Sequence, residues 1–210
     1  MKPLALTIAA ATLSFTTSAF AANLLVNPGF EDPITQDGPP FVGFWEGFNG
    51  AGATAGNSMA LPRTGLQSLG LSINNTFNTF AGAFQDVPGL APGMSFSLDG
   101  WHATLSSPLD LGVEIRIEWR DSVGNTEVSR TPNFTPIPSA SYSAFNMTGL
   151  VPAGADTARI VYAIQSFSTA PLGNGTVYVD DMSFTVVPEP SSLALVGLGG
   201  LALLGFRRRY

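Results

Sequence analysis

Between two specialised ends, the sequence predicts an all-β sandwich, and three observations carry that prediction. Apolar residues recur at every second position in short runs, as they must when alternate side chains face opposite sides of a strand. Clusters of Gly, Pro, Asn and Ser separate the runs, and no long stretch keeps the spacing of a helix. Two packed antiparallel sheets are the arrangement that buries many such half-apolar strands.

In chain order, Asn23–Val26 predicts a first strand, closed by the turn Asn27-Pro28-Gly29. A loop follows through Gly38-Pro39-Pro40, then an aromatic, glycine-rich stretch from Phe41 to Phe48 and a flexible polar stretch from Gly50 to Asn57. Leu69, Leu71 and Ile73 predict a strand ending at Asn74-Asn75, and Ala83–Val87 another, ending at Pro88-Gly89. From Met94 to Ala103, Met94, Phe96 and Leu98 share one face while Ser95, Ser97, Asp99 and Trp101 share the other. The clearest strand places Leu111, Val113, Ile115, Ile117 and Trp119 inward and Glu114, Arg116, Glu118 and Arg120 outward. Its hairpin partner is Thr126–Arg130, after a turn over Asp121–Asn125. A proline-rich loop from Thr131 to Ser139 leads to strands at Tyr142–Leu150, Ala158–Phe167 and Val177–Thr185, about nine strands in one domain. In the last, the apolar parity of Val177 and Val179 switches to Met182 and Phe184, so a bulge is expected at Asp180-Asp181.

The ends carry addresses. Lys2, the apolar run from Leu4 to Phe20 and the small-residue site Ala19-Phe20-Ala21 make residues 1–21 a secretory signal peptide, cut after Ala21. Residues 22–186 then form the sandwich domain, a length that supports a core of its own. Residues 187–210 hold Pro188-Glu189-Pro190, an uncharged apolar run from Leu193 to Phe206, and Arg207, Arg208 and Arg209. As a helix the run would be roughly 21 Å long against a hydrocarbon core of about 30 Å, a short transmembrane helix whose arginines place the C-terminus in the cytoplasm.

Composition excludes several functions. The domain keeps five arginines and no lysine against fourteen acidic residues, so nucleic acid and anionic headgroups are not expected partners. Without cysteine there are no disulfides, thiol catalysis or cysteine metal sites. His102 is the one imidazole and no G-x-S-x-G elbow accompanies it, so no catalytic residues are assigned and the chain reads as a non-enzyme.

Val187-Pro188-Glu189-Pro190, the short apolar helix and the arginine cluster together resemble the PEP-CTERM sorting signal of Gram-negative bacteria. The resemblance implies processing by an exosortase, a membrane-embedded cysteine transpeptidase that cuts near Pro-Glu-Pro. The chain would be held briefly in the inner membrane, then released to the cell surface or extracellular space. A second resemblance covers most of the remainder. Asn23-Leu24-Leu25-Val26-Asn27-Pro28-Gly29-Phe30-Glu31, Gln85-Asp86-Val87, and Val177-Tyr178-Val179-Asp180-Asp181-Met182-Ser183-Phe184 are similar to segments of carbohydrate-binding modules with a galactose-binding-like jelly-roll fold. It implies a jelly-roll sandwich and a structural Ca²⁺ near the first and last strands, with Glu31 and Asp180 or Asp181 as ligands. The alternative for these acids is a solvated strand end with Arg159 as counter-ion.

Sugar binding requires exposed aromatic platforms beside hydrogen-bonding groups. Trp45 and Trp101 are the candidate platforms, with Asp99 and Arg116 as polar partners; the alternative for each is a structural role, with Glu114, Arg116, Glu118 and Arg120 forming a solvated face of cross-strand ion pairs. Trp101 follows the Asp99 face unless a bulge at Gly100 turns it inward, and Trp119 belongs to the core. The resulting expectation is an exported surface or matrix protein that contacts exopolysaccharide. The alternatives are a structural biofilm protein without glycan binding and a secreted carbohydrate-active hydrolase.

Overall fold

The computed structural model describes residues 21–187 apart from Pro40 and Val42. The signal peptide up to Phe20 and the sorting-segment residues Pro188, Glu189, Pro190, Arg207, Arg208 and Arg209 lie outside the described residues. Ten strands are described: β1 (Glu46–Asn49), β2 (Ala53–Ser58), β3 (Ser68–Thr76), β4 (Phe80–Pro88), β5 (Ser95–Ala103), β6 (Gly112–Asp121), β7 (Thr126–Arg130), β8 (Ser143–Leu150), β9 (Thr157–Gln165) and β10 (Gly173–Val187). They form two five-stranded sheets, with order β1-β4-β9-β6-β7 in sheet A and β2-β3-β10-β5-β8 in sheet B. All pairings between strands are antiparallel, so the fold is a jelly-roll β-sandwich, and no helix is present among the described residues.

Alternation dictates the core. From sheet B come Leu69, Leu71 and Ile73 of β3, Leu98 of β5, and Val177, Val179, Met182 and Phe184 of β10; from sheet A come Ile115 and Ile117 of β6 and Ile160, Tyr162 and Ile164 of β9, all buried. Each large side chain so buried contributes roughly 1.5–3 kcal/mol. The parity switch in β10 is realised as a register shift between Asp180 and Ser183, with Asp181 in the left-handed region at φ 48°.

The polar groups inside are paired. His102 and the Tyr162 hydroxyl share a hydrogen bond of 2.7 Å, and burial pushes the imidazole down to about 4. Among the described residues no buried side-chain nitrogen or oxygen lacks a partner.

Three expectations change. Asn23–Val26 is not a strand, because only Leu24 N reaches the β10 backbone, at Phe184 O, while side chains take most of the rest: the Asn23 carboxamide holds β10 through Met182 O and Phe184 N, and Gln85 takes both Val26 N and Val26 O. The polar stretch from Gly50 contains strand β2, and β1 precedes it, so the described strands number ten rather than nine. Finally, β3 runs through Asn74-Asn75 to Thr76.

Candidate functional site

The outer face of sheet A is set by parity on β9. Ile160, Tyr162 and Ile164 point into the core, so Arg159, Val161, Ala163 and Gln165 point away from it. Register extends each into a row across the sheet: Asp86-Arg159-Glu118, Phe84-Val161-Arg116, Gly82-Ala163-Glu114 and Phe80-Gln165-Gly112. β1 adds Glu46 beside Phe84 and Phe48 beside Gly82.

Two kinds of chemistry run side by side over these rows. One is a line of aromatic rings: Phe41 meets Phe84 edge-on at 5.2 Å, Phe84 lies 6.2 Å from Phe48, and Phe48 lies 6.0 Å from Phe80. Gly82 permits this, because a Cβ there would collide with the Phe48 ring. Phe80 and Phe44 are each 48% exposed, so the line reaches solvent. The other is a ladder of charges on β6. Arg116 donates to Glu118 at 2.9 and 2.7 Å and to Glu114, and Arg120 donates to the second Glu118 oxygen at 3.2 Å. Arg159 joins the two lines by pairing with Asp86 at 2.7 and 2.8 Å while its guanidinium lies 4.1 Å from the Phe84 ring centre.

One hollow lies at the Phe41 end of the aromatic line, and a second is lined by Gln165 and Gly112 of the row that begins at Phe80. The first, of about 160 Å³, is lined by Phe41, Phe44, Glu46, Phe84 and Asp86. The second, of about 330 Å³, is more apolar and is lined by Leu109, Leu111, Gly112, Ile137, Gln165 and Phe167. Planar apolar rings flanked by fixed carboxylates and guanidinium groups can stack on a ring bearing axial hydrogens and bond its hydroxyls.

The residues singled out from sequence are dispersed. Trp45 is fully buried, packs on Phe30 at 4.9 Å and donates its indole N–H to Asn27 O at 3.0 Å, so it is core and not a platform. Trp101 does face outward on sheet B beside Asp99, with no bulge at Gly100, but the Arg63 guanidinium lies over its ring at 3.8 Å. Asp99 accepts hydrogen bonds from Ser97 Oγ at 2.7 Å and Asn146 Nδ2 at 2.6 Å. Of the four candidates, Arg116 alone lies on the aromatic face. Phe84 and Phe48 were missed because Ala81 and Ala83 are the inward residues of β4, which inverts the apolarity a half-buried strand ordinarily shows. The signal that could have found them is Phe80, Gly82, Phe84 and Asp86 sharing one parity.

The three candidate metal ligands lie under the loop of residues 59–67. Asp180 is buried and accepts from Arg63 N at 2.8 Å, Thr64 N at 3.2 Å and Asp181 N at 2.7 Å; burial raises its pKa. Asp181 is paired with the Arg63 guanidinium and accepts from Thr64 Oγ1 at 2.6 Å. Glu31 accepts from Leu66 N at 2.9 Å and Gln67 N at 3.2 Å. The counter-ion is therefore Arg63, whereas Arg159 serves Asp86. Such a donor set, already bonded to amides and a guanidinium, does not fit a calcium ion, and no group of three acidic or histidine side chains among the described residues is placed to hold a metal.

Comparison with known proteins agrees with the two regions separately. Residues 186–209 match the family model described as the PEP-CTERM protein-sorting motif. No curated protein matches the chain. Among solved structures, a Family 16 carbohydrate-binding module is 19% identical with a TM-score of 0.50, covering 78% of this chain and 99% of its own. The CBM22-1 xylan-binding domain of Paenibacillus barcinonensis Xyn10C is 13% identical with a TM-score of 0.52, covering 82% and 100%. The enzymatically active domain of bacteriophage CBA120 tailspike protein 4 is 17% identical with a TM-score of 0.55; the match covers 68% of this chain and spans 19% of the tailspike. At these identities the likeness establishes the jelly-roll fold alone. No described helix is long and apolar enough to cross a membrane, and the apolar tail lies outside the described residues.

Proposed function

We propose that this chain is an exported, non-enzymatic surface protein whose sandwich binds polysaccharide across the outer face of sheet A. The observation that carries the reading is the aromatic line Phe41-Phe84-Phe48-Phe80, bounded by the Glu114-Arg116-Glu118 ladder and opening at Phe41 and Phe84 into a hollow. A sugar chain laid along it stacks on successive rings while its hydroxyls bond carboxylate, guanidinium and the Gln165 amide. The sorting motif supports delivery by an exosortase route, with the tail in the inner membrane before processing and the domain at the cell surface or outside the cell afterwards.

Catalysis is not part of the proposal. Glu114 and Glu118 both bond Arg116, which ties them into a ladder of ion pairs.

Affinity electrophoresis through gels containing soluble exopolysaccharides tests the binding. The wild type should be retarded and Phe84→Ala retarded much less at the same glycan concentration, while Trp101→Ala should behave as wild type. A wild type unretarded by every glycan would favour a structural matrix protein. Delivery is tested by C-terminal mass in strains with and without the exosortase; an intact Arg207–Tyr210 end in both would remove that part.

A further inference from the structure

A sheet has two edges, and an edge that offers free amide and carbonyl groups is a template for another strand. Three of the four edges here are guarded. The segment around Thr35 covers β1 through Thr35 N to Trp45 O at 3.0 Å and Gly47 N to Thr35 O at 2.7 Å. The same segment reaches β2, where Ile34 N donates to Asn57 Oδ1 and Gln36 Nε2 donates to Ala55 O. β7 is short, carries the Glu127-Arg130 ion pair and is bent by a register shift between Trp119 and Arg120.

β8 has none of these devices. It is eight residues long, without proline, charge or register shift, and pairs with β5 alone. The hydrogen bond from Val151 N to Met94 O fixes its phase. By alternation, Ser143, Phe145, Met147 and Gly149 bond β5, while the backbone groups of Ala144, Asn146, Thr148 and Leu150 point outward, and all four of these residues are exposed. No described residue pairs with them.

We infer that β8 pairs antiparallel with β8 of a second copy of this chain, joining two B sheets into one continuous sheet about a twofold axis. Composition favours a copy as occupant. The chain is strongly acidic, yet no charge occurs from Thr131 to Ala155, so two such molecules can meet along this unguarded edge without repulsion between its own side chains. The strand is also self-complementary. With the axis through Met147, all four outward residues bond: Ala144 faces Leu150 and Asn146 faces Thr148 across the axis, so a large side chain meets a small one and an amide meets a hydroxyl. Phe145 faces Gly149 on the other side, and Leu150, 59% exposed, becomes covered.

The absence of cysteine makes the test direct. In this register the two Met147 residues form a non-hydrogen-bonded pair with Cα atoms about 4.5 Å apart, within disulfide reach. The full chain carrying Met147→Cys, expressed with its export signal, should run as a dimer on a non-reducing gel, and Val128→Cys on guarded β7 should stay monomeric. In mild detergent, light scattering should give twice the monomer mass for wild type. Thr148→Lys, an exposed change that sets two like charges near the axis, should return it to one, with an unchanged circular-dichroism spectrum. A monomeric wild type, a Met147→Cys chain that does not cross-link, or a dimer that survives Thr148→Lys, as one held by the apolar tail would, overturns the inference. None of these readouts depends on glycan binding.

Discussion

The outer faces of the two sheets are built from the same alternation yet reach opposite states. On sheet A, charges pair along β6, and Arg159, held by Asp86, lies 4.1 Å from the Phe84 ring centre and 5.4 Å from that of Phe41, while Phe80 and Phe44 stay 48% exposed. On sheet B the only outward tryptophan is covered by Arg63, itself held by Asp181, and Asp99 is bonded to Ser97 and Asn146. Each face sets an arginine over one ring, so what separates them is the line: sheet A carries four phenylalanines in succession, whereas sheet B presents a single tryptophan.

The largest effect that separates faces from core belongs to Trp45. Trp45→Ala should lower stability by about 3–5 kcal/mol in denaturant unfolding, because a fully buried ring is removed, while glycan retardation at low temperature stays unchanged. Loss of binding without loss of stability would instead make Trp45 part of the site.

Acid is next. The folded imidazole of His102 is held near 4 against an ordinary value of 6.5, so the unfolded chain binds the extra proton between those values. His102-linked stability is therefore complete above about pH 6.5 and is lost as pH falls toward 4, by up to roughly 3 kcal/mol at full protonation. His102→Gln should flatten that part of the curve; an unaltered profile would show that the carboxylates alone produce it.

Smaller, and aimed at the contrast itself, Phe84→Ala should weaken glycan binding roughly tenfold, the worth of one stacked ring, with Trp101→Ala near unity. Equal losses would erase the distinction between the faces. Smallest is Arg63→Ala, expected to cost about 0.5–1 kcal/mol as its partly exposed ion pair and ring contact are lost. Calcium should leave the wild-type melting point unchanged and raise that of Arg63→Ala, where Asp180 and Asp181 lose their counter-charge. A wild-type midpoint that rises with calcium would show that the metal displaces Arg63.

Much of the fold was legible. The inward and outward residues of β6, the alternation of β3 and β9, and the bulge at Asp180-Asp181 all follow from period-two apolarity, which reports directly on which face is dry. Asn23–Val26 and Gly50–Asn57 were misjudged because hydrogen bonds from Asn23 and Gln85 replace a ladder in the first, and the second is a polar edge strand. The site was less legible still. Arg116 lies on the outer face of sheet A as its strand parity predicts, but Phe84 and Phe48 lie outward because the core holds Trp45, Phe30 and Tyr162 and takes alanines from β4.

By itself, then, the sequence determined the sandwich, its jelly-roll kinship and the sorting segment at its end, since each is written in local order: alternation, turn residues, and three elements in series. Tertiary structure decided which tryptophan is buried, which is covered, which face carries a line of rings and which edge is left unguarded. Those outcomes depend on residues far apart in the chain, such as Arg63 with Trp101 and Asp181, or Thr35 with β1, whose meeting no local pattern records.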